Sequence, residues 1–267
     1  EFMTLIGKII GPIALVFKSC VVMSVESADL YPYPSIGDGK LGIDVALTLV
    51  DGIATDPDGN IYISHRSQNR IRKLSPNGPI TTVAGTGIAG FSGDGVPALG
   101  SSLNFPAGLV FDKGNLYVAD RNNHRIRKID SKGIISTVAG TGIPKCCNDN
   151  GLAVEAHLHF PSDIDVDSEG NLYISDRSNN RIRKVNSDGI ITTIAGLGKP
   201  GYGGDFGPAD KALLKYPFGI SLDSKGNFYI ADRGNNRVRK IDKRGIITTI
   251  AGDGTHSFGG DYGPANQ

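Results

Sequence analysis

A tandem repeat of about 56 residues restricts the folds open to this chain more than any other feature of its 267 residues. One marker is an asparagine followed by an apolar residue and a tyrosine, at spacings of 55, 56 and 56 residues. Its positions are Asn60, Asn115, Asn171 and Asn227. A second marker is an aspartate preceded by glycine or asparagine, at spacings of 56, 55, 56 and 56 residues. Its positions are Asp38, Asp94, Asp149, Asp205 and Asp261. The sequence from residue 37 onward therefore contains four tandem units and the start of a fifth.

Each unit has the same internal pattern, which the second unit illustrates. Four short apolar runs, "AGLVFD", "NLYVAD", "RIRKID" and "IISTVAG", are separated by "KG", "RNNH" and "SKG". Runs of this length, divided by Gly, Asn, Asp and Ser, are typical of β-strands joined by turns. The pattern predicts a four-stranded antiparallel sheet in every unit.

The second strand of each unit shows how these sheets are arranged. Leu116, Tyr117, Val118 and Ala119 are apolar at successive positions, as expected for a strand buried on both faces. A lone sheet cannot bury both faces, whereas sheets stacked face to face can. The sequence therefore predicts an all-β β-propeller with four blades in this chain. After a lead-in over residues 29–50, the predicted blades cover residues 51–106, 107–161, 162–217 and 218–267.

The N-terminal segment has a separate composition. Glu1 and Phe2, before Met3, are interpreted as a cloning remnant, and residues 3–28 resemble a signal peptide, which would make the protein secreted or extracytoplasmic. The alternative is an ordered terminal segment with "VVMSV" as a strand. Pro12 and Lys18 interrupt the apolar run and argue against a stable membrane span.

The repeated letters also carry a family resemblance. "GNLYVADRNNHRIRKID" and "GIISTVAGTG", followed by "GDG" and a proline, resemble NHL-repeat β-propellers over residues 37–267. Members of that family usually close with six blades, and four are present here. Three alternatives stay open: a fragment, closure with four blades, or a ring completed by self-association. Because some members of that family are metal-dependent lyases and others bind RNA, the resemblance implies both activities as alternatives for this chain.

The strand order predicts which loops share a face. In an up-down-up-down sheet, the loops after the second and fourth strands emerge on one side, and only tight turns emerge on the other. Binding residues concentrate on long loops of a rigid scaffold, so the long-loop face is the predicted binding face. Its candidate residues are His65, Arg66, Arg121, Asn122, His124, Arg177, Arg233, Asp94, Asp205 and Asp261.

Several residues of the second loop recur in units two to four and are assigned a structural role, because an asymmetric active site does not need repeated copies; unit one departs from the pattern with His65 and Gln68. An aspartate precedes an arginine by five residues, a spacing that allows a bidentate ion pair across the loop. The predicted pairs are Asp120 with Arg125, Asp176 with Arg181, and Asp232 with Arg237.

One long loop departs from the repeat. "PKCCNDNGLAVEAHLHFP" places Cys146 and Cys147 next to each other and His157 and His159 on one side of an extended segment. These four side chains are the candidate ligands of a metal ion, and no other cofactor is predicted. The alternatives are a vicinal disulfide or two inert thiols.

Three functions follow from these features. The first is a non-enzymatic binding or scaffold module whose long-loop face contacts a protein, glycan or envelope component. The second is a metal-dependent lyase or hydrolase, although no catalytic constellation stands out. The third is RNA binding through a basic stripe formed by Arg72, Arg127, Arg183 and Arg239. The near-neutral balance of 28 basic and 27 acidic residues argues against nucleic acid as a partner.

Overall fold

The computed structural model describes residues 37–76, 78–256 and 265. The predictions for the N-terminal signal peptide or strand and for Asp261 lie outside these residues. The described part is an all-β propeller of four antiparallel blades, as the repeat predicted, and it contains short 3-10 turns but no α-helix. None of its helical segments has the length and apolar character that crossing a bilayer requires.

Every blade has four main strands in sequential antiparallel order. Blade 1 consists of β1 (Val50–Thr55), β2 (Ile61–His65), β3 (Arg70–Leu74) and β4 (Ile80–Ala84). Blade 2 consists of β6 (Pro106–Asp112), β7 (Asn115–Asp120), β8 (Arg125–Ile129) and β9 (Ile134–Ala139), with the short β5 (Val96–Pro97) against β9. Blade 3 consists of β11 (Asp163–Val166), β12 (Leu172–Asp176), β13 (Arg181–Val185) and β14 (Ile190–Ala195), with β10 (Gly151–Leu152) against β14. Blade 4 consists of β15 (Ile220–Leu222), β16 (Phe228–Asp232), β17 (Arg237–Ile241) and β18 (Ile247–Ala251).

Short 3-10 turns recur at two places in the repeat. One set directly follows the second strand of each blade: Arg66–Gln68, Arg121–Asn123, Arg177–Asn179 and Arg233–Asn235. Another set lies in the long connections between blades: Ala98–Gly100, Ala153–Glu155 and Ala209–Lys211. A further turn, Gly42–Asp44, precedes blade 1.

The first strand of each blade is the innermost one. β1 packs on β6, β6 on β11, and β11 on β15, so these first strands lie side by side along the inner edge of the propeller. The apolar core lies between neighbouring blades, where Ile126 and Ile182 are fully buried. Both faces of an inner blade are therefore covered, as the uninterrupted apolar second strand predicted.

The tight turns of the opposite face are held by their own side chains. In blade 1 the carboxylate of Asp56 accepts hydrogen bonds from the Asn60 backbone N–H at 3.0 Å and from the Tyr62 hydroxyl at 3.1 Å. Blades 3 and 4 repeat these bonds with Asp167 and Asp223 as acceptors. The carboxylates of these turns are thus engaged in closing the turn backbone.

The two end blades each have an uncovered apolar face in the part of the chain that the structure describes. Val238 of blade 4 is 36% exposed, although its equivalents Ile126 and Ile182 are 0% exposed. Ile53 of blade 1 is 58% exposed, whereas its equivalent Leu109 is 6% exposed. An open groove of about 270 Å³ runs along the blade 4 face. Each end thus displays a surface of the kind that stacks on a neighbouring blade inside the propeller.

Candidate binding face

The loops after the second and fourth strands lie on one face and are hydrogen-bonded to each other. Asn123, in the loop after β7, donates to the carbonyl of Gly90 in the long connection at 2.6 Å. Arg125 donates from Nη2 to the carbonyl of Thr141, just after β9, at 2.7 Å. These bonds give the long connections a fixed position on the blades.

The aspartate that ends the second strand is the centre of this network. Asp120 is fully buried and accepts hydrogen bonds from the backbone N–H of Asn104 at 2.8 Å and from Asn123 Nδ2 at 2.7 Å. Asp176 is equally buried and accepts the corresponding bonds from His159 and Asn179. Burial raises the pKa of both carboxyl groups to about 6, although the hydrogen bonds oppose this shift.

The structure corrects the predicted arginine partner of this aspartate. The carboxylate of Asp120 lies 3.6 Å from Nη1 of Arg127, two residues beyond the predicted Arg125. Asp176 forms its ion pair with Arg183 at 3.2 Å and Asp232 with Arg239 at 3.3 Å, although Arg181 and Arg237 lie directly opposite them on the next strand. Arg125 donates instead to the carbonyls of Asn123 and Thr141. The long side chain of Arg127 therefore reaches the carboxylate diagonally across two strands.

The same buried arginines also hold the long connections. Arg127 Nη2 donates to Asp94 at 2.9 Å, and Arg239 Nη2 donates to Asp205 at 2.7 Å. The binding-face candidates Asp94 and Asp205 are thus ion-paired within the scaffold, and Thr137 donates a further hydrogen bond to Asp94 at 3.0 Å. The predicted basic stripe is wrong, because its arginines are all 0% exposed. They are Arg72, Arg127, Arg183 and Arg239.

His65 replaces the aspartate in blade 1 and is fully buried, which corrects its assignment to the binding surface. Its Nε2 accepts a hydrogen bond from the backbone N–H of Thr48 at 3.1 Å. In blade 2, Asp120 Oδ1 accepts the equivalent hydrogen bond from the backbone N–H of Asn104. Burial, and then the charges of Arg72 and Arg70, lower the pKa of His65 to about 4. The imidazole is therefore neutral at physiological pH and acts as a hydrogen-bond acceptor.

His124 is also below the surface, with 8% of its area exposed. It has the left-handed φ of 54° that Asn69, Asn180 and Asn236 adopt at the equivalent positions. Its Nδ1 accepts a hydrogen bond from the backbone N–H of Phe160 at 3.1 Å. At the equivalent position of blade 1, the side-chain oxygen of Asn69 accepts the backbone N–H of Phe105. Burial, followed by His159 and Arg125, lowers the pKa of His124 to about 4. His124 is thus an asparagine replacement in the scaffold, whereas the neighbouring Asn122 is half-buried and donates its backbone N–H to Asn104.

The cysteine- and histidine-containing loop does not assemble a metal site. Cys146 and Cys147 form a vicinal disulfide, and the carbonyl of Cys147 accepts a hydrogen bond from Arg183 at 3.2 Å. His157 lies 2.7 Å from the Thr141 hydroxyl, whereas His159 stacks with Phe160 at 5.0 Å between ring centroids. Within the described ranges, no group of three or more His, Cys, Asp or Glu side chains is placed to hold a metal ion. The metal hypothesis for this loop is therefore not supported by the geometry.

Four arginines on the binding face keep contact with solvent, three of them half-buried and one, Arg233, exposed. They are Arg66, Arg121, Arg177 and Arg233, and together they are named the arginine rim. Each is the first residue of the 3-10 turn after a second strand. Three of them lie over aromatic rings near the start of an innermost strand. The ring-centroid distances are 5.9 Å for Arg66 over Phe105, 5.2 Å for Arg177 over Tyr216 and 5.4 Å for Arg233 over Phe218.

The backbone beside the arginine rim is strained. Phe105, Phe160 and Tyr216, each followed by a proline, have φ angles of 53°, 52° and 48°. Left-handed backbone is uncommon for a bulky residue and concentrates at functional sites. These aromatic residues are not among the predicted binding-face candidates, although an aromatic-proline step recurs before the first strand of three blades.

Comparisons of this sequence with known proteins agree with a propeller of repeated blades. Residues 103–129 match the NHL repeat, and residues 142–200 and 198–260 match the Teneurin NHL domain. Mouse Teneurin-1 is 31% identical over 237 residues, which covers 78% of this chain and 8% of the relative. The chain therefore belongs to the NHL-repeat β-propeller family, and it spans less than a tenth of the teneurin length.

Solved structures share the fold. An auxiliary nutrient binding protein from Bacteroides thetaiotaomicron has a TM-score of 0.56 and 23% identity, and the match covers 74% of this chain and 47% of that one. A streptogramin B lyase has a TM-score of 0.51 and 19% identity, with 81% and 56% covered. At this level of identity the two likenesses concern the propeller architecture alone.

Proposed function

We propose that this protein is a non-enzymatic binding module that contacts a partner protein through its long-loop face. The observation that carries the proposal is the distribution of exposed large hydrophobic side chains, most of which lie in the long connections. They are Ile88, Phe91, Leu99, Phe105, Ile143, Leu152, Val154, Leu197, Tyr202, Phe206 and Tyr216. Exposed hydrophobic side chains on loops held by a rigid scaffold are typical of interaction sites, whereas tight turns of the opposite face are closed by carboxylates such as Asp56 and Asp167.

The rigidity of the loops supports this function. Each long connection is tied to its blade by a buried arginine, as Asp94 is by Arg127, and by the amide side chain of a loop asparagine. A surface that is already ordered loses little conformational entropy on binding. The relatedness to teneurin domains favours the same class of function, whereas the likeness to a lyase is one of fold.

The alternatives have less support. A metal-dependent lyase needs converging ligands, and the described residues contain no such cluster. RNA binding has no support from the predicted basic stripe, because its four arginines are buried. A glycan or an envelope component stays an outcome of the binding experiment.

The test is a screen of the full chain against purified protein domains and glycans, followed by variants of each face. Ile88 and Ile143 are 71% and 48% exposed on the long-loop side. Replacing both by glutamate is expected to weaken the complex with a protein partner by about tenfold or more, because a buried charge would enter the contact. Lys132→Glu and Lys225→Glu in the tight turns serve as the matched control and should leave affinity unchanged. Loss of affinity only in the turn variants, or turnover of a panel member without a stable complex, would count against the proposal.

A second interaction is proposed between copies of this chain. The exposed faces of blade 4 (Val238, Ile250) and blade 1 (Ile53) resemble the two surfaces that stack on each other inside the propeller. A second copy can cover both ends in a head-to-tail manner. We expect concentration-dependent association by light scattering, weakened about tenfold or more by Val238→Glu, because the charge would be buried at the contact. A strictly monomeric protein at about 100 μM, where a contact with a Kd of about 1 μM would be largely formed, would contradict this proposal.

A further inference from the structure

The arginine rim has more positive charge than the described scaffold neutralises. Arg66 forms an ion pair with Asp51 at 2.8 Å. In the other blades, the position of Asp51 is occupied by residues that carry no charge, namely Ala107, Ser162 and Phe218. Arg121, Arg177 and Arg233 therefore have no carboxylate partner among the described residues.

The guanidinium groups are held close enough to repel each other. Burial, followed by the charges of Arg177 and Arg66, lowers the pKa of Arg121, and Arg233 adds to this effect. Burial and the charge of Arg233 also lower the pKa of Arg177. Asp51 is the one facing carboxylate that acts in the opposite direction on Arg121. Half-buried like charges at one end of a propeller axis produce a strong local field that favours an anion.

We propose that the arginine rim binds the carboxylates of an acidic peptide segment of a partner protein, which enters the propeller mouth on the long-loop face. This inference rests on the proposed binding function and specifies the chemistry of its partner. A guanidinium binds a carboxylate through two parallel N–H···O bonds. The cation–π contacts with Phe105 and Tyr216 hold two of these groups in fixed orientations, so that little side-chain entropy is lost on binding.

Three features favour an acidic peptide over RNA. Arginines of the rim converge on an axis, whereas single-stranded nucleic acid is bound along a positively charged groove with free aromatic faces for base stacking. The rings of Phe105, Tyr216 and Phe218 each have a guanidinium over them. The near-neutral net charge of +1 also differs from the basic excess of phosphate-binding domains.

The experiment measures fluorescence anisotropy of labelled hexaglutamate with the full chain, with hexaglutamine as the uncharged peptide. We expect binding of hexaglutamate but not hexaglutamine. Arg121→Gln combined with Arg177→Gln should weaken it about tenfold or more, because two charge-assisted pairs are removed. Arg244→Gln, an 81% exposed arginine of the tight-turn side, is the matched control and should change affinity less than about twofold. Circular dichroism verifies folding, and if the glutamine variant is unfolded, Arg121→Lys with Arg177→Lys takes its place. This variant keeps the charge but loses the bidentate geometry, and it should bind more weakly than the unmodified chain.

Three outcomes would overturn the inference: equal binding by folded rim variants, equal binding of hexaglutamine, or tighter binding of a single-stranded hexaribonucleotide than of hexaglutamate. Failure of this inference is distinguishable from failure of the proposed function. A partner whose binding is lost with the Ile88 and Ile143 variants but is unchanged by the rim variants would leave the binding function standing and remove the rim from it.

Discussion

Asp176→Ala is expected to lower the free energy of unfolding by about 3–5 kcal/mol, the cost of removing one partner from a buried ion pair. The fully buried carboxylate accepts hydrogen bonds from the His159 backbone N–H and from Asn179, and it lies 3.2 Å from Arg183. Alanine leaves these donors facing a small void, where an unpaired buried polar group is costly. Urea denaturation at pH 7 measures the difference.

Two control variants separate the causes of this loss. Asp149 pairs with the same Arg183 at 2.7 Å, but its side chain is 30% exposed, so Asp149→Ala should cost only about 0.5–1.5 kcal/mol. Burial already raises the pKa of Asp176 to about 6 and thus disfavours its charge. Asp176→Asn, which keeps an acceptor oxygen, should therefore cost less than half of what alanine costs. Equal losses for Asp176→Ala and Asp149→Ala would contradict the assignment of the buried carboxylate as the centre of the network.

Periodicity was sufficient to predict the architecture. The 56-residue spacing gives the number of blades, and the continuous apolar run of Leu116 to Ala119 gives strands covered on both sides. These features can be read from the order of polar and apolar residues along the chain, and the repeat presents the same order four times.

The site was harder to predict because it depends on competition between partners in three dimensions. The spacing of Asp120 and Arg125 allows an ion pair, yet the guanidinium of Arg125 donates its hydrogen bonds to the backbone carbonyls of Asn123 and Thr141. Sequence could not show that Arg127 reaches the same carboxylate. The role of His124 was accessible, because it aligns with Asn69 and Asn180, residues of a type that tolerates left-handed backbone. Convergence of the arginine rim on the axis required the strand order in space.

His124→Asn should make stability less dependent on pH below pH 6.5. The pKa of His124 is lowered to about 4 in the folded protein, against about 6.5 in the unfolded chain. Between these values the unfolded state binds more protons, so the native protein loses stability as the pH falls. At pH 5 this cost amounts to at most about 2 kcal/mol, reduced by the solvent that reaches the imidazole, and asparagine does not incur it.

The asparagine is a matched replacement, since Asn180 occupies the equivalent position and accepts the backbone N–H of Tyr216 at 2.9 Å. At pH 7.5 the variant and the unmodified protein should therefore differ by less than about 1 kcal/mol, the scale of one exchanged hydrogen bond. Urea midpoints measured from pH 4.5 to 7.5 give the comparison, and His65 contributes equally to both proteins because it is present in both. Parallel pH profiles would show that the imidazole of His124 is solvated and free to protonate. A divergence that grows as the pH falls would show that the folded protein holds the imidazole neutral, as its burial and the neighbouring His159 and Arg125 predict.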